Sequence, residues 1–130
     1  MTNATPPRRI LVVDDEMLIR WSISETLKPH GYTVVEAADA ASARRALADG
    51  PEPPDAVVLD YRLPDSNDLS FLADIRRTMP NTPIVLITAF CTREISDRAK
   101  KLGAYAVLDK PFEMGDLEAT LSRACHPTPR

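Results

Sequence analysis

Apolar side chains along the chain are concentrated in five short runs: Ile10 to Val13, Tyr32 to Val35, Ala56 to Leu59, Ile84 to Ile87 and Tyr105 to Leu108. Most are continuously apolar instead of alternating, which fits strands covered on both faces, as in a parallel sheet. The second run is the weakest, being short and mixed. Each run is followed by a segment with helical spacing. The first segment places Ile19, Ile23 and Leu27 four residues apart and stops near Pro29 and Gly31. The second follows Asp39, a suitable N-cap, and runs through an alanine-rich stretch to Gly50. The third carries Leu69, Leu72, Ile75 and Met79 before Pro80. The fourth starts near Thr92, carries Ile95, Ala99 and Leu102, and ends at Gly103. The last carries Met114, Leu117, Leu121 and Ala124.

An unbroken alternation of strand and helix predicts an α/β fold: a five-stranded parallel sheet, doubly wound by right-handed crossovers, with helices on both faces. The pattern occupies residues 8–125. The proline-containing stretches 1–7 and 126–130 are expected to be disordered tails, the second also being where a linker would begin. A chain of 130 residues is long enough to bury about two-thirds of its surface without help from metal or disulfide.

Charge and cysteine content narrow the function. With 16 basic against 19 acidic residues, a net charge of −3 and no run of Lys or Arg, attraction to phosphate backbones is not expected. No apolar stretch approaches the roughly 20 residues of a membrane helix, and the first residues lack the apolar core of a signal peptide, so a cytoplasmic location is expected. Direct contact with DNA or a membrane is therefore not expected. Cys91 and Cys125 form no C-x-x-C pair and have only His30 and His126 for company. Two reduced thiols are expected and a zinc site is not.

In a doubly wound sheet the site lies beyond the carboxyl ends of the strands, at the switch point. For strand order 2-1-3-4-5, the flavodoxin-like order, that is between strands 1 and 3. Strand 1 ends in Asp14, Asp15 and Glu16, strand 3 in Asp60, strand 4 in Thr88, and strand 5 in Asp109, Lys110 and Pro111. Carboxylates crowded at one edge repel unless compensated, and a divalent cation compensates them. Magnesium suits such oxygen ligands, keeps several waters and accepts a phosphate oxygen. Without a G-x-x-x-x-G-K-[ST] loop to cradle a nucleotide, a phosphoryl donor would come from outside the chain.

Four pieces carry a family resemblance: Ile-Leu-Val-Val-Asp14-Asp15-Glu16, Val-Val-Leu-Asp60-Tyr-Arg-Leu-Pro64-Asp, Ile-Val-Leu-Ile-Thr88-Ala89 and Asp-Lys110-Pro111-Phe112. Together, in order at four strand ends, they resemble the response-regulator receiver domain of the CheY-like superfamily over about residues 8–125. The resemblance implies that Asp60 is the phosphoacceptor for a partner's phosphohistidine. It implies Mg²⁺ bound by Asp15, Asp60 and the backbone carbonyl of Arg62, with Asp14 acting through a water. Lys110, Thr88 and the backbone of Ala89 would hold the phosphoryl group. The Lys110–Pro111 bond is usually cis in the family, turning the ammonium into the pocket. The implied partners are a sensor histidine kinase or phosphotransfer protein and an output protein of unknown identity. Homodimerisation on phosphorylation is a further outcome that the resemblance allows. A phosphoacceptor of this kind is not a turnover enzyme, beyond self-phosphorylation from small donors and autodephosphorylation.

Some positions depart from the pattern. Val107 stands where most receivers carry a switch aromatic, and Tyr105, two residues earlier and on the same strand face by alternation, is expected to take over part of that role. Asp68 replaces a frequent glycine and is expected to cap the third helix. Arg62 and Phe90 stand two beyond Asp60 and Thr88, where they are expected to shield an acyl phosphate from water. Ile19-Arg20-Trp21 resembles NtrC-type receivers, leaving open a free-standing receiver or part of a longer regulator. Lys100-Lys101 reads most simply as a solvated helix face, and helix 4, strand 5 and helix 5 form the family's usual output surface. Two other readings compete. A Mg²⁺-dependent phosphohydrolase with Asp60 as nucleophile lacks the usual Asp-x-Asp motif, since Tyr61 and Arg62 follow. An FMN-binding protein would set its phosphate against Asp14, Asp15 and Glu16.

Overall fold

The computed structural model describes residues 8–50 and 52–125. The tails expected at 1–7 and 126–130 lie outside the described residues. The elements are β1 (Arg8–Val13), α1 (Met17–Leu27), a 3-10 turn (Lys28–His30), β2 (Tyr32–Ala37), α2 (Ala40–Asp49), β3 (Ala56–Asp60), α3 (Ser70–Thr78), β4 (Ile84–Thr88), α4 (Arg93–Lys101), β5 (Ala106–Asp109) and α5 (Met114–Cys125). All neighbouring strands pair in parallel, in the order β2-β1-β3-β4-β5.

The continuous apolar runs follow from two cores, one on each face of the sheet. Leu11, Val13, Val57, Leu59, Ile84 and Leu86 face Ala40 and Ala43 of α2, Phe71, Leu72 and Ile75 of α3, and Ala99 of α4. The alternate residues Ile10, Val12, Ala56, Val58, Val85 and Ile87 face Ile23 and Leu27 of α1 and Leu117, Leu121 and Cys125 of α5. Period-two alternation thus hides behind uniform hydrophobicity because both faces are buried. β2, with only one strand neighbour, is buried at Tyr32 and Ala37 and more open between them, hence its mixed sequence.

Several boundaries differ from the sequence expectation. β1 starts at Arg8, because Arg8 and Arg9 pair with Tyr32 and Thr33, and the Arg9 N–H donates to Asp55 Oδ2 at 2.7 Å. β3 and β4 run one residue further, taking in Asp60 and Thr88. β5 is shifted by one, leaving Tyr105 just before it. Helix ends follow local chemistry. Asp39 caps α2 through Ser42 N–H (2.7 Å), and Thr92 caps α4 through Ile95 N–H (3.1 Å). Gly31 and Gly103 take φ of 89° and 111°, which favours glycine. The expected Asp68 cap is corrected: the cap position of α3 is Leu69, and the Asp68 carboxylate instead accepts from Ser70 N–H (2.9 Å) and Oγ (2.6 Å). Among the described residues no helix is long and apolar enough to cross a membrane.

Candidate phosphoacceptor and metal site

Parallel register brings the strand ends together. β1 and β3 are central neighbours, so Val13 lies beside Leu59, one residue before Asp14 and Asp60 respectively. β4 follows, with Tyr61 N–H donating to Ile87 O at 2.9 Å. β5 completes the edge, with Lys110 N–H donating to Thr88 O at 2.7 Å. Carboxylate oxygens of Asp14, Asp15 and Asp60 lie within 4.8 Å of one another. The Lys110 ammonium stands among them, 3.1 Å from Asp14 Oδ2, 3.4 Å from Asp60 Oδ2 and 3.2 Å from Glu16 Oε1. The Lys110–Pro111 peptide bond is cis, as the resemblance implied.

The electrostatics follow from burial and like charge. Asp14 is fully buried and Asp60 is 6% exposed. Burial, reinforced by the Asp14 charge and only partly offset by Lys110, pushes the Asp60 carboxyl up to about 6. Burial alone would lower the Lys110 ammonium, but the attraction of Asp60 and Asp14 outweighs it and the net direction is upward. Asp14 Oδ1 accepts the Glu16 N–H at 2.8 Å, whereas among the described residues its buried Oδ2 has no hydrogen-bond donor aligned on it and the Lys110 ammonium, at 3.1 Å, as charge partner. A buried carboxylate oxygen left this way, inside a set of three converging carboxylates, fits a hard divalent cation.

A cleft of about 250 Å³ opens on these groups, lined by Asp15, Glu16, Asp60, Arg62, Thr88, Ala89, Phe90 and Lys110. Asp14 lies beneath it. Thr88 is buried, and its Oγ1 accepts the Phe90 N–H at 3.0 Å. The Arg62 N–H donates to Asp60 Oδ1 at 3.4 Å, and the Arg62 guanidinium lies 4.3 Å from the centre of the Phe90 ring. Tyr105 and Val107 do not line this cleft. Val107 is half-buried against the α2, α3 and α4 core, while Tyr105 is exposed. Cys91 is half-buried and Cys125 buried, both free thiols.

Three contributors escaped the sequence reading. Glu16 was visible only as the third acid of a triplet, yet it is a direct partner of Lys110. Arg20 donates to Asp14 O at 2.7 Å and to Glu36 Oε1 at 3.2 Å, tying α1 to the ends of β1 and β2. Asp65 reaches across to α2, accepting from Ala40 N–H at 2.8 Å. Neither contact has a signal in spacing, since each joins residues that only the fold brings together.

Known proteins are similar to this chain in sequence and fold. The family model of the response regulator receiver domain matches residues 10–122. The transcriptional regulatory protein PdtaR of Mycobacterium tuberculosis is 36% identical over 115 residues, covering 88% of this chain and 55% of that protein. A putative NtrX-like response regulator of Rickettsia conorii is 37% identical over 121 residues, covering 92% of this chain and 25% of that protein. The chain thus spans about half the length of the first relative and a quarter of the second. The crystal structure of the NtrX receiver domain from Brucella abortus superposes with a TM-score of 0.82 at 35% identity, covering 92% of this chain and 99% of that one. With the strand order, the acidic strand ends and the Thr88 and Lys110 termini all in place, the chain belongs to the response regulator receiver domains of two-component systems.

Proposed function

We propose that Asp60 accepts a phosphoryl group from a phosphohistidine on a sensor histidine kinase or phosphotransfer protein. The carrying observation is the Lys110 ammonium among the carboxylates of Asp14 and Asp60, at 3.1 and 3.4 Å, at the floor of an open cleft. An Asp60 oxygen attacks phosphorus, the phosphorus–nitrogen bond breaks with its electron pair returning to the ring nitrogen, and the partner's histidine leaves as neutral imidazole, its other nitrogen keeping the proton it already carries. Bound Mg²⁺ would neutralise the transferring oxygens. Asp15, Asp60 and the Arg62 carbonyl would hold it directly, and Asp14 through a water. Lys110 then exchanges a carboxylate for the phosphoryl group, and Ala89 supplies a backbone donor. Thr88 redirects its hydroxyl from the Phe90 turn to the same group.

The energies are of the right order for a switch. Moving a two-state element from mostly off to mostly on takes about 5.5 kcal/mol. Hydrogen bonds to a charged group contribute roughly 1.5 to 3 kcal/mol each, so Thr88 and Lys110 together approach that figure. The output surface of this reading is α4, β5 and α5. Beside α5, on the same face of the sheet, Met17, Leu18 and Trp21 of α1 are exposed. A groove lined by Ile19 of α1, Pro111, Phe112 and Met114 shares Glu16, Ala89 and Lys110 with the acceptor cleft, a continuity that favours this side for the phosphodonor.

The test is incubation with acetyl phosphate and Mg²⁺ followed by intact-mass measurement. One phosphoryl adduct on the wild type, none on Asp60→Asn and none after chelation is the expected result. Equal labelling of the two proteins refutes the assignment. Release of many equivalents of phosphate per chain from a simple ester would favour the phosphohydrolase reading instead.

A further inference from the structure

We propose that Asp65 is a positioning residue for the metal site, holding the loop that carries the Arg62 main chain by clamping it to the N-terminus of α2; this rests on the Mg²⁺ reading above. The Asp65 carboxylate uses both oxygens: Oδ1 accepts from Ala40 N–H at 2.8 Å and Oδ2 from Ala41 N–H at 3.0 Å. These are two of the amides that a helix start leaves without an internal partner, and the positive end of the helix dipole favours the carboxylate. α2 already has its own cap, Asp39 on Ser42 N–H at 2.7 Å. A second cap contributed by a distant loop therefore does for the loop what Asp39 cannot.

The loop is held at three places. Before Arg62, Tyr61 N–H donates to Ile87 O at 2.9 Å, fixing the exit from β3. After it, Leu63 is buried and exchanges two hydrogen bonds with Ser66, at 2.8 and 3.2 Å, closing the loop on itself. Asp65 sits at the tip of that closure and is its tie to another element. Magnesium demands near-ideal octahedral geometry, so a carbonyl ligand is effective only if its backbone is held before the ion arrives.

Isothermal titration of Mg²⁺ into wild type, Asp65→Ala, Asp65→Asn and Asp39→Ala tests the role, with circular dichroism reporting that each variant is folded. Asp65→Ala should weaken Mg²⁺ binding about tenfold, the effect usual for groups that orient a metal ligand. Asp65→Asn keeps one carbonyl acceptor and should fall between the two. Asp39→Ala removes a cap from the same helix without touching the loop, and should lower the melting temperature while leaving Mg²⁺ affinity unchanged. In the metal-free proteins, amide exchange at Arg62 and Leu63 should accelerate in Asp65→Ala and stay at the wild-type rate in Asp39→Ala. Wild-type affinity in Asp65→Ala, or matching losses in Asp65→Ala and Asp39→Ala, overturns the positioning role and leaves the metal reading intact. Failure of the wild type to bind Mg²⁺ removes both.

Discussion

Lys110 Nζ lies 3.4 Å from Asp60 Oδ2, joining the last strand of the sheet to its centre through one ammonium. The same ammonium serves the buried Asp14 at 3.1 Å, so it balances two carboxylates that would otherwise repel each other across the switch point. Lys110→Ala should therefore destabilise the metal-free protein at pH 7.5 by on the order of 3 kcal/mol, the cost of leaving buried charge unpaired. Urea unfolding in the presence of EDTA measures it. The loss should shrink as the pH falls through about 6 towards 5, where the Asp60 carboxyl takes up its proton. Labelling of Asp60 by a small donor should survive in this variant, with the switch impaired.

Asp60 is itself a source of pH dependence. Its folded-state value of about 6 lies above the ordinary 3.8, so between these values the folded chain holds more protons than the unfolded one. In that window its contribution to stability falls as pH rises, and above about 6 the ionised carboxylate is a standing cost. Asp60→Asn removes that cost with little change of shape. In EDTA the variant should melt higher than wild type at pH 7.5, and the difference should disappear by about pH 4. A constant difference across that range would place the charge elsewhere.

Thr88 holds its own turn in this structure, accepting the Phe90 N–H at 3.0 Å. Thr88→Ala should lose about 1 kcal/mol of stability from that hydrogen bond. It should still be labelled at Asp60. The phosphorylation-induced amide shifts in α4, β5 and α5, read by nuclear magnetic resonance, should be largely lost. Wild-type shifts in this variant would remove Thr88 from the switch.

Arg62 and Phe90 act as a pair over the cleft, 4.3 Å from guanidinium to ring centre. Exposed cation–π contacts contribute about 0.5 to 1 kcal/mol, roughly two- to fivefold in a rate. Phe90→Ala and Arg62→Ala should each shorten the lifetime of the aspartyl phosphate, and the double variant should be no faster than the faster single one by more than a small factor. Multiplicative effects would mean that the two side chains act separately.

Tyr105 and Val107 share a face by alternation, yet Val107 packs partly against the core while Tyr105 stands exposed ahead of β5. If Tyr105 carries the aromatic part of the switch, Tyr105→Ala should reduce the amide shifts in α4 on phosphorylation without changing the rate of labelling. Unchanged shifts would leave the coupling to other residues.

The sequence by itself determined the alternation of elements, the five strands and the identity of the groups at their carboxyl ends. It could do so because β1, β3 and β4 carry apolar runs buried on both faces, and the polar residues that end those runs mark the sheet edge. Asp14, Asp15, Asp60, Thr88 and Lys110 were legible for that reason, as was the cap at Asp39. The tertiary structure alone decided which of these groups touch. The ammonium's three contacts, the Arg62 and Phe90 stack, the Arg20 bond to Glu36 and the Asp65 clamp on α2 join residues far apart in the chain. Hydrophobic periodicity carries no information about such pairs, because it specifies which face is buried and not how loops from neighbouring strands meet above it. The shifted bounds of β5 have the same origin: hydrogen bonds to β4, Tyr105 N–H to Ile84 O and Lys110 N–H to Thr88 O, settled what local preference left open.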